Sequence, residues 1–470
     1  MYVQQFFVKG LAHSSYLLGG SESCAIIDPR RDVQLYIDAA EDMNMTITHI
    51  LETHLHADFV SGHRDLAERT GAKIYAPGKC EYPYTQSAEG VMFKLDDLEI
   101  RVVETPGHTP EHVSYIVIDK ARGIEPVALF CGDTLFVGDV GRPDLFPGKA
   151  QELAGKLYDS LYMKLLTLPE FCEVYPAHGA GSLCGRAMGA KRSSTIGYEK
   201  LYNSALQIKD KKAFIESLTT NMPGSPDHFK RCSATNGVGP ALVKTLPVMR
   251  TISPQEFILI CEKGDSVVLD TRAYDAFGGQ HVPGAYHIDI NGNFVTFAGW
   301  IIPPDKDILL VTDNLAQACD ASVWLRRVGL DRVVGYLEGG MFGWAKAGLP
   351  AGHVGQLSAH DLRNRMLHGP TLTLVDVRAP KEYEGHHIEG AINIPAPDLR
   401  TRGHELNANE PVAVICSTGH RSSLGASILK MQGFKEVYNV AGGMTGFSAA
   451  GYAPACPMCL NPHGPGFLGK

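Results

Sequence analysis

A chain of 470 residues, 44% hydrophobic and 20% charged, holds apolar material for several cores, and its length suggests about three domains at roughly 150 residues each. A net charge of −8 with no basic block argues against nucleic acid as a partner. No apolar run reaches the roughly 18 residues of a membrane span, and the opening MYVQQFFVKGLAHSS lacks the regions of a secretion signal, so the expectation is a cytoplasmic protein with no membrane partner. Eleven cysteines, odd in number and scattered, do not make a disulfide framework.

Over the first 200 residues, strand-like and helix-like segments alternate. CAIIDP and ITHILET are short, apolar and β-branched and read as strands. SGHRDLAERTG reads as a helix with Ser61 as its N-cap and Gly71 as its stop. EIRVVETPGH, VSYIVID and PVALFCGD are three further strands. The stretches THLHAD, PGH and CGD each begin where a strand ends, so their side chains can converge on one cleft. Residues 219–250, rich in Pro, Gly, Asn and Ser, read as extended surface chain and a domain boundary.

An internal repeat follows. VVLDTRAYDAFGGQHVPGAYHI (267–288) aligns without gaps on TLVDVRAPKEYEGHHIEGAINI (373–394), and GGMFGW (339–344) on GGMTGF (442–447). A repeat of about 105 residues exceeds a solenoid unit and has the size of a small domain. Residues 251–352 and 355–455 are therefore expected to be two copies of one α/β domain with a parallel sheet. The expected domains are 1–245, with 219–245 as an extension, then 246–353, then 354–470 with a C-terminal tail.

Two chemical signals stand out. His54, His56, Asp58, His108, Asp133 and His178 supply imidazole and carboxylate at strand ends, a donor set for Zn, Fe or Mn. In VICSTGHRSSLGASILKMQG an apolar strand ends at Cys416, and Arg421 lies at the opening of a helix. A cysteine before a helix N-terminus meets converging N–H groups and the positive end of the dipole, which favour a thiolate, and Gly419 lets the loop curl around the sulfur. In the first copy the aligned loop VTDNLAQACD has Thr312 at the cysteine position and Gln317 at the arginine position, with Cys319 inside the helix. That copy is expected to be catalytically silent. CPMC (456–459) and GPGFLG (464–469) lack the strand–helix setting that would give such motifs meaning.

GLAHSSYLL, THLHADFVSGH, TPGHTPEHVSY, FCGDTLFVGDVGRPD and YPAHG together resemble the metallo-β-lactamase fold over residues 1 to about 237, in its glyoxalase II and persulfide dioxygenase branch. GRPD and MPGSPDHFKRC resemble the persulfide dioxygenases in particular. C-x-x-G-x-R with DVR, HIEGAINIP and GGMTGF resembles rhodanese over roughly 355–452. The fold implied is α/β: an αββα sandwich followed by two rhodanese-like domains with parallel sheets.

The resemblance also implies roles. In the hydrolases of this branch two metals share the site, and a histidine stands where this chain has Phe59. In the dioxygenases one Fe(II) is held by two histidines and an aspartate, by motif position His54, His108 and Asp133, the 2-His-1-carboxylate arrangement with open positions for substrate and O₂. His56, Asp58 and His178 are left open as ligands or as their outer partners. Arg142 is implied as a cation near substrate and Cys416 as the carrier of a sulfane sulfur. The activity implied is oxidation of a small-thiol persulfide by O₂ to sulfite and thiol, joined to sulfur transfer that makes or uses thiosulfate. A zinc-dependent hydroxyacylglutathione hydrolase and a sulfur carrier without oxygenase activity are the alternatives. The thiol and the oligomeric state, a homo-oligomer included, stay open.

Overall fold

The computed structural model describes residues 1–185, 188–220, 222, 224–369 and 372–452; CPMC and GPGFLG lie outside them. The chain divides into two compact units, one of Met1–Thr245 with Arg326–Gly329 and one of Leu246–Leu325 with the chain from Leu330 on.

The first unit holds two six-stranded sheets. One runs in the order of its sequence, β1 (Tyr2–Val8), β2 (His13–Gly19), β3 (Ser23–Ile27), β4 (Thr46–Leu51), β5 (Lys73–Ala76) and β6 (Thr85–Gln86). The other contains β7 (Met92–Leu95), β8 (Leu98–Glu104), β9 (Val113–Asp119), β10 (Pro126–Gly132), β11 (Glu173–Pro176) and β12 (Ser194–Thr195), again with sequence neighbours paired. Alternation along the strands sorts side chains into layers. Tyr16, Leu18, Ala25 and Ile27 meet Ile100, Val102, Tyr115, Val117 and Phe130 between the sheets. On the other face of the first sheet Leu17, Cys24 and Ile26 pack with Val33, Tyr36 and Leu66 of the loop and helices outside. Val103, Ile116, Leu129 and Val174 pack outward from the second sheet against the helix Ala150–Asp159 and its neighbours. The result is a four-layer αββα sandwich, and cover on both faces leaves every residue of β2 and β9 buried, the His and Ser of HSSYLLG included.

The second unit contains two five-stranded parallel sheets of identical order. The first is β13 (Arg250–Ile252), β17 (Val333–Leu337), β16 (Asp307–Val311), β14 (Ser266–Asp270), β15 (Tyr286–His287). The second is β18 (Gly355–Leu357), β22 (Val437–Val440), β21 (Val412–Ile415), β19 (Thr373–Asp376), β20 (Ile392–Asn393). The matching Asp and Arg of the repeat are buried ion pairs, Arg272 with Asp270 at 2.6 Å and Arg378 with Asp376 at 2.7 Å. Each arginine also donates to a loop carbonyl, Gln280 or His386.

Two local expectations are corrected. Residues 219–250 are not extended throughout: a helix runs His228–Val238, with His228, Phe229, Cys232 and Asn236 buried. Its polar and glycine residues hide the apolar face in the sequence. Ser61 is not the N-cap, because the helix begins at His63 after Gly62; its hydroxyl donates to Glu52 Oε1 at 2.6 Å. Gly71 ends that helix in the left-handed conformation, φ 74°, as expected of a glycine there.

Candidate functional site

The loops after β4, β8, β10 and β11 bring His54, His56, Asp58, His108, Asp133 and His178 together, all of them buried. Each metal-facing atom is defined by what the rest of its side chain does. His54 Nδ1 is 2.9 Å from Thr53 Oγ1, and His108 Nδ1 donates to the Arg142 carbonyl at 2.8 Å. That leaves His54 Nε2, His108 Nε2 and Asp133 Oδ2 buried without a hydrogen-bond partner. His108 Nε2 lies 3.3 Å and His54 Nε2 3.9 Å from Asp133 Oδ2, close to the separation of ligands that share one ion at about 2.1 Å each. Three orphaned donors aimed at one point fit a metal ion, since buried polar atoms are otherwise paired.

His56 is held differently. Its Nε2 lies 3.0 Å from Asp28 Oδ1, and its Nδ1 is a further orphan, with its ring centroid 4.0 Å from that of His54. Asp28 sits at the end of β3 with φ 50°, a region where a non-glycine backbone is uncommon. The conformation lets its carboxylate accept from the Thr53 N–H and Oγ1 at 2.8 and 2.9 Å. Gly132 is demanded by the same crowding: at φ +49°, a Cβ there would lie 2.5 Å from both His112 Nε2 and Thr53 Oγ1. The His112 ring packs against His54 and accepts the Asp133 N–H at 3.0 Å.

A second donor set adjoins the first. Asp58, His178 and Cys184 place ligand atoms within 4.8 Å of one another. His178 spans the two sets, Nδ1 at 2.7 Å from Asp133 Oδ1 and Nε2 at 2.8 Å from Asp58 Oδ2. Phe59 is fully buried, its ring 4.0 Å from His13 and 4.4 Å from His56.

Protonation at the site follows from burial and these neighbours. Burial, then the neighbouring imidazoles, push His54 well below its ordinary value; burial also lowers His108, outweighing Asp133. Both are therefore neutral, as ligation requires. Burial would raise the Asp133 carboxyl, but His178 and His108 outweigh it and hold it low. His178 is raised, because Asp133 and Asp58 overcome the opposite effect of burial.

The second candidate site is the loop after β21. Cys416 is buried and its Sγ accepts from the Gly419 N–H at 3.2 Å and from Ser422 Oγ at 3.3 Å. Gly419, at φ 102°, caps the helix His420–Met431. Gly443 supports the loop from below: a Cβ there would lie 2.2 Å from the Cys416 carbonyl, which accepts from the Met444 N–H at 2.8 Å. Arg421 is committed to Glu382 through two bonds of 2.6 and 2.8 Å and to Ser417 Oγ at 2.7 Å.

Family models match at residues 8–178, the metallo-beta-lactamase superfamily, and at residues 253–347 and 358–450, the rhodanese-like domain. A solved metallo-beta-lactamase from Staphylococcus aureus subsp. aureus COL is similar over 72% of this chain and 98% of its own, at 33% identity and a TM-score of 0.63. The persulfide dioxygenase ETHE1, mitochondrial, of Bos taurus is 30% identical over 187 residues, 37% of this chain and 67% of that protein. The chain belongs to the metallo-beta-lactamase superfamily. A hydroxyacylglutathione hydrolase of Rhodospirillum rubrum is 39% identical over 160 residues, 33% of this chain and 57% of the relative. The chain thus spans a little over half the length of curated relatives such as this hydrolase.

Within the metallo-beta-lactamase domain, all six candidate metal residues converge, and Arg142 adjoins them through its carbonyl, which accepts from His108. Its guanidinium makes two bonds to Asp144, at 2.7 and 2.8 Å, and one to the Leu183 carbonyl at 3.1 Å, so it braces the loop whose carbonyl orients His108. Sequence reasoning missed Asp28, His112, Cys184 and Asn236. Asn236 Nδ2 donates to the His56 and Phe59 carbonyls, each at 2.8 Å, and its Oδ1 accepts the Ser61 N–H at 2.9 Å. His112 was in plain view in TPGHTPEH; the others carry no local signal. In the first rhodanese-like copy, Thr312 follows β16 as Cys416 follows β21, and Cys319 is exposed on the helix Leu315–Arg327.

Proposed function

We propose that the chain is a sulfide-oxidation enzyme of three domains, 1–245, 246–353 and 354–470, whose metallo-beta-lactamase domain oxidises a low-molecular-weight thiol persulfide. The balanced reaction is RSSH + O₂ + H₂O → RSH + SO₃²⁻ + 2H⁺. The observation that carries the reading is the set of three orphaned atoms on His54, His108 and Asp133, beside a phenylalanine where a second metal would want an imidazole. One Fe(II) per chain at these residues would supply the open positions at which a sulfur anion and O₂ meet. The chain's own contribution is orientation and dryness. Thr53 and the Arg142 carbonyl fix the two imidazoles, the His112 ring fixes the Asp133 backbone, and Phe59 fills the adjoining volume with a ring that holds no water.

Cys416 would carry sulfane sulfur as a persulfide, its thiolate stabilised by the Gly419 N–H and Ser422 hydroxyl. Sulfite from the first domain is the natural acceptor, giving thiosulfate, and fusion raises the local concentration of the shared intermediate. The first rhodanese-like copy, with Thr312 in place of the cysteine, does not carry sulfur.

A second reading, a two-metal zinc thioester hydrolase, is favoured by the Asp58–His178–Cys184 donor set and by the similarity to the Rhodospirillum rubrum hydrolase. Anaerobic purification with metal analysis, then O₂ uptake on glutathione persulfide against hydrolysis of a glutathione thioester, separates the two. Thioester turnover with zinc and no O₂ uptake with iron would reject the dioxygenase reading.

A further inference from the structure

The first rhodanese-like copy lacks the cysteine, yet its residues close around the Cys416 loop of the second. Asp289 Oδ2 lies 3.1 Å from His420 Nδ1. The Tyr274 ring meets the His420 ring edge-on, centroids 5.4 Å apart at 83°, and stands 3.1 Å from where a Cβ on Gly419 would be. A Cβ on Gly292 would lie 3.5 Å from His420 Cβ. His420 thus leaves the Cys416 loop, one residue after the N–H that touches the sulfur, and enters a niche built by the other copy.

The niche has a defined charge. Asp289 is 3% exposed on its side chain and His420 35%. Burial alone would raise the Asp289 carboxyl, but His420 and the Asn291 N–H, at 2.9 Å, outweigh it and hold it below its ordinary value. The Asp289 carboxylate takes up Nδ1 and so fixes the ring's orientation, leaving Nε2 as the ring's other polar atom. Arg421, the neighbouring cation, is already engaged by Glu382 and Ser417, which leaves His420 as the loop's other side chain able to exchange a proton.

We propose that the cysteine-less copy is a working part of the Cys416 site, in which Asp289 positions His420 to protonate the thiolate that leaves when a thiol persulfide donates its sulfur. The inference rests on the reading of Cys416 as the sulfur carrier. The Cys416 thiolate attacks the outer sulfur of RS–SH. A new S–S bond forms as Cys416–S–SH, the RS–S bond breaks, and its electron pair departs on RS⁻. The Nε2 proton of His420 passes to RS⁻, giving RSH and neutral His420, which regains a proton from solvent. No oxidant or reductant is consumed. A thiol's pKa of about 8.5 makes its anion a basic leaving group, so a proton helps. Thiosulfate leaves sulfite instead, whose charge is spread over three oxygens, and gains little from an acid.

The test compares two donors in the same samples of full-length protein. Cys416 persulfide formation is followed by mass spectrometry with glutathione persulfide and with thiosulfate, for wild type, Asp289→Asn and His420→Gln. Both variants are expected to lower the persulfide-to-thiosulfate rate ratio by about 10²-fold, the scale of general acid catalysis, with the double variant no worse than His420→Gln alone. The thiosulfate rate corrects for any loss of folded protein, and His420→Gln carries the test if Asp289→Asn is obtained only unfolded. A ratio within about threefold of wild type in His420→Gln, or a fall there not shared by a folded Asp289→Asn, overturns the inference. A wild type that forms no Cys416 persulfide from either donor overturns the sulfur-carrier reading itself.

Discussion

Asn236 tests how far the metal loop depends on a residue 180 positions away in sequence. Its side chain satisfies three buried backbone groups, the His56 and Phe59 carbonyls and the Ser61 N–H, at 2.8, 2.8 and 2.9 Å. Asn236→Ala leaves all three without a partner. At about 1 kcal/mol for each net bond, rising where a buried group stays unsatisfied, the loss is about 3–4 kcal/mol, a large fraction of the roughly 5–15 kcal/mol that holds a domain together. The same bonds fix the backbone on either side of Asp58, so metal affinity falls by about 10–100-fold, as for other outer partners of a metal site. Asn236→Asp keeps the acceptor for Ser61 but turns a carboxylate toward two carbonyl oxygens, so it matches or exceeds the alanine variant in cost. Urea unfolding of the metal-free protein reads the first quantity and competition with a chelator the second. An alanine variant that loses less than about 0.5 kcal/mol and holds its metal as tightly as wild type would refute the reasoning.

Metal analysis of anaerobically purified protein is expected to give one iron per chain, and two metals bridged by Asp133 in a crystal structure would contradict this. Phe59→His restores an imidazole beside Asp58 and His178 but not a hydrolase; oxygenase activity falls, and glutathione-thioester turnover stays below the roughly 10 s⁻¹ of an ordinary enzyme, measured with zinc and with iron. Cys416→Ser abolishes sulfur transfer from thiosulfate to cyanide and leaves O₂ uptake on pure persulfide intact, checked by assaying both on one preparation. Glu382 is held below the ordinary carboxylate value because Arg421 outweighs the effect of its burial. A lowered folded-state value adds stability above the unfolded carboxylate value, about pH 4.3, and loses it as pH falls toward the folded one. Acid unfolding followed by circular dichroism should therefore be shallower in Glu382→Gln, which at neutral pH is less stable because Arg421 loses its charge partner.

The strand ends and their motifs are legible in the sequence because each is a local pattern. An apolar run followed by His, Asp or Cys places that residue at the C-terminal end of a strand, and the gapless repeat carries the paired order of the two five-stranded sheets. What is not legible is contact at long range. Asp28 reaches His56 only because β3 and β4 pair side by side. Cys184 reaches Asp58 because the chain after β11 folds back over the site. Asn236 belongs to a helix whose flanking Pro, Gly and Asn disguise it. Arg142 looks like a free cation until Asp144, two residues on, is seen to engage its guanidinium.

The position of Cys184 bears on how the protein ages in the presence of oxidants. Peroxide attacks sulfur as thiolate, and burial, reinforced by Asp58 and Asp133, pushes the Cys184 thiol well above its ordinary value. On the proposed dioxygenase reading, a thiol kept in its acid form beside the metal site is inert to the by-products of the chemistry there. Among the described residues, oxidative wear would then fall first on the exposed Cys319, which the proposed chemistry does not use.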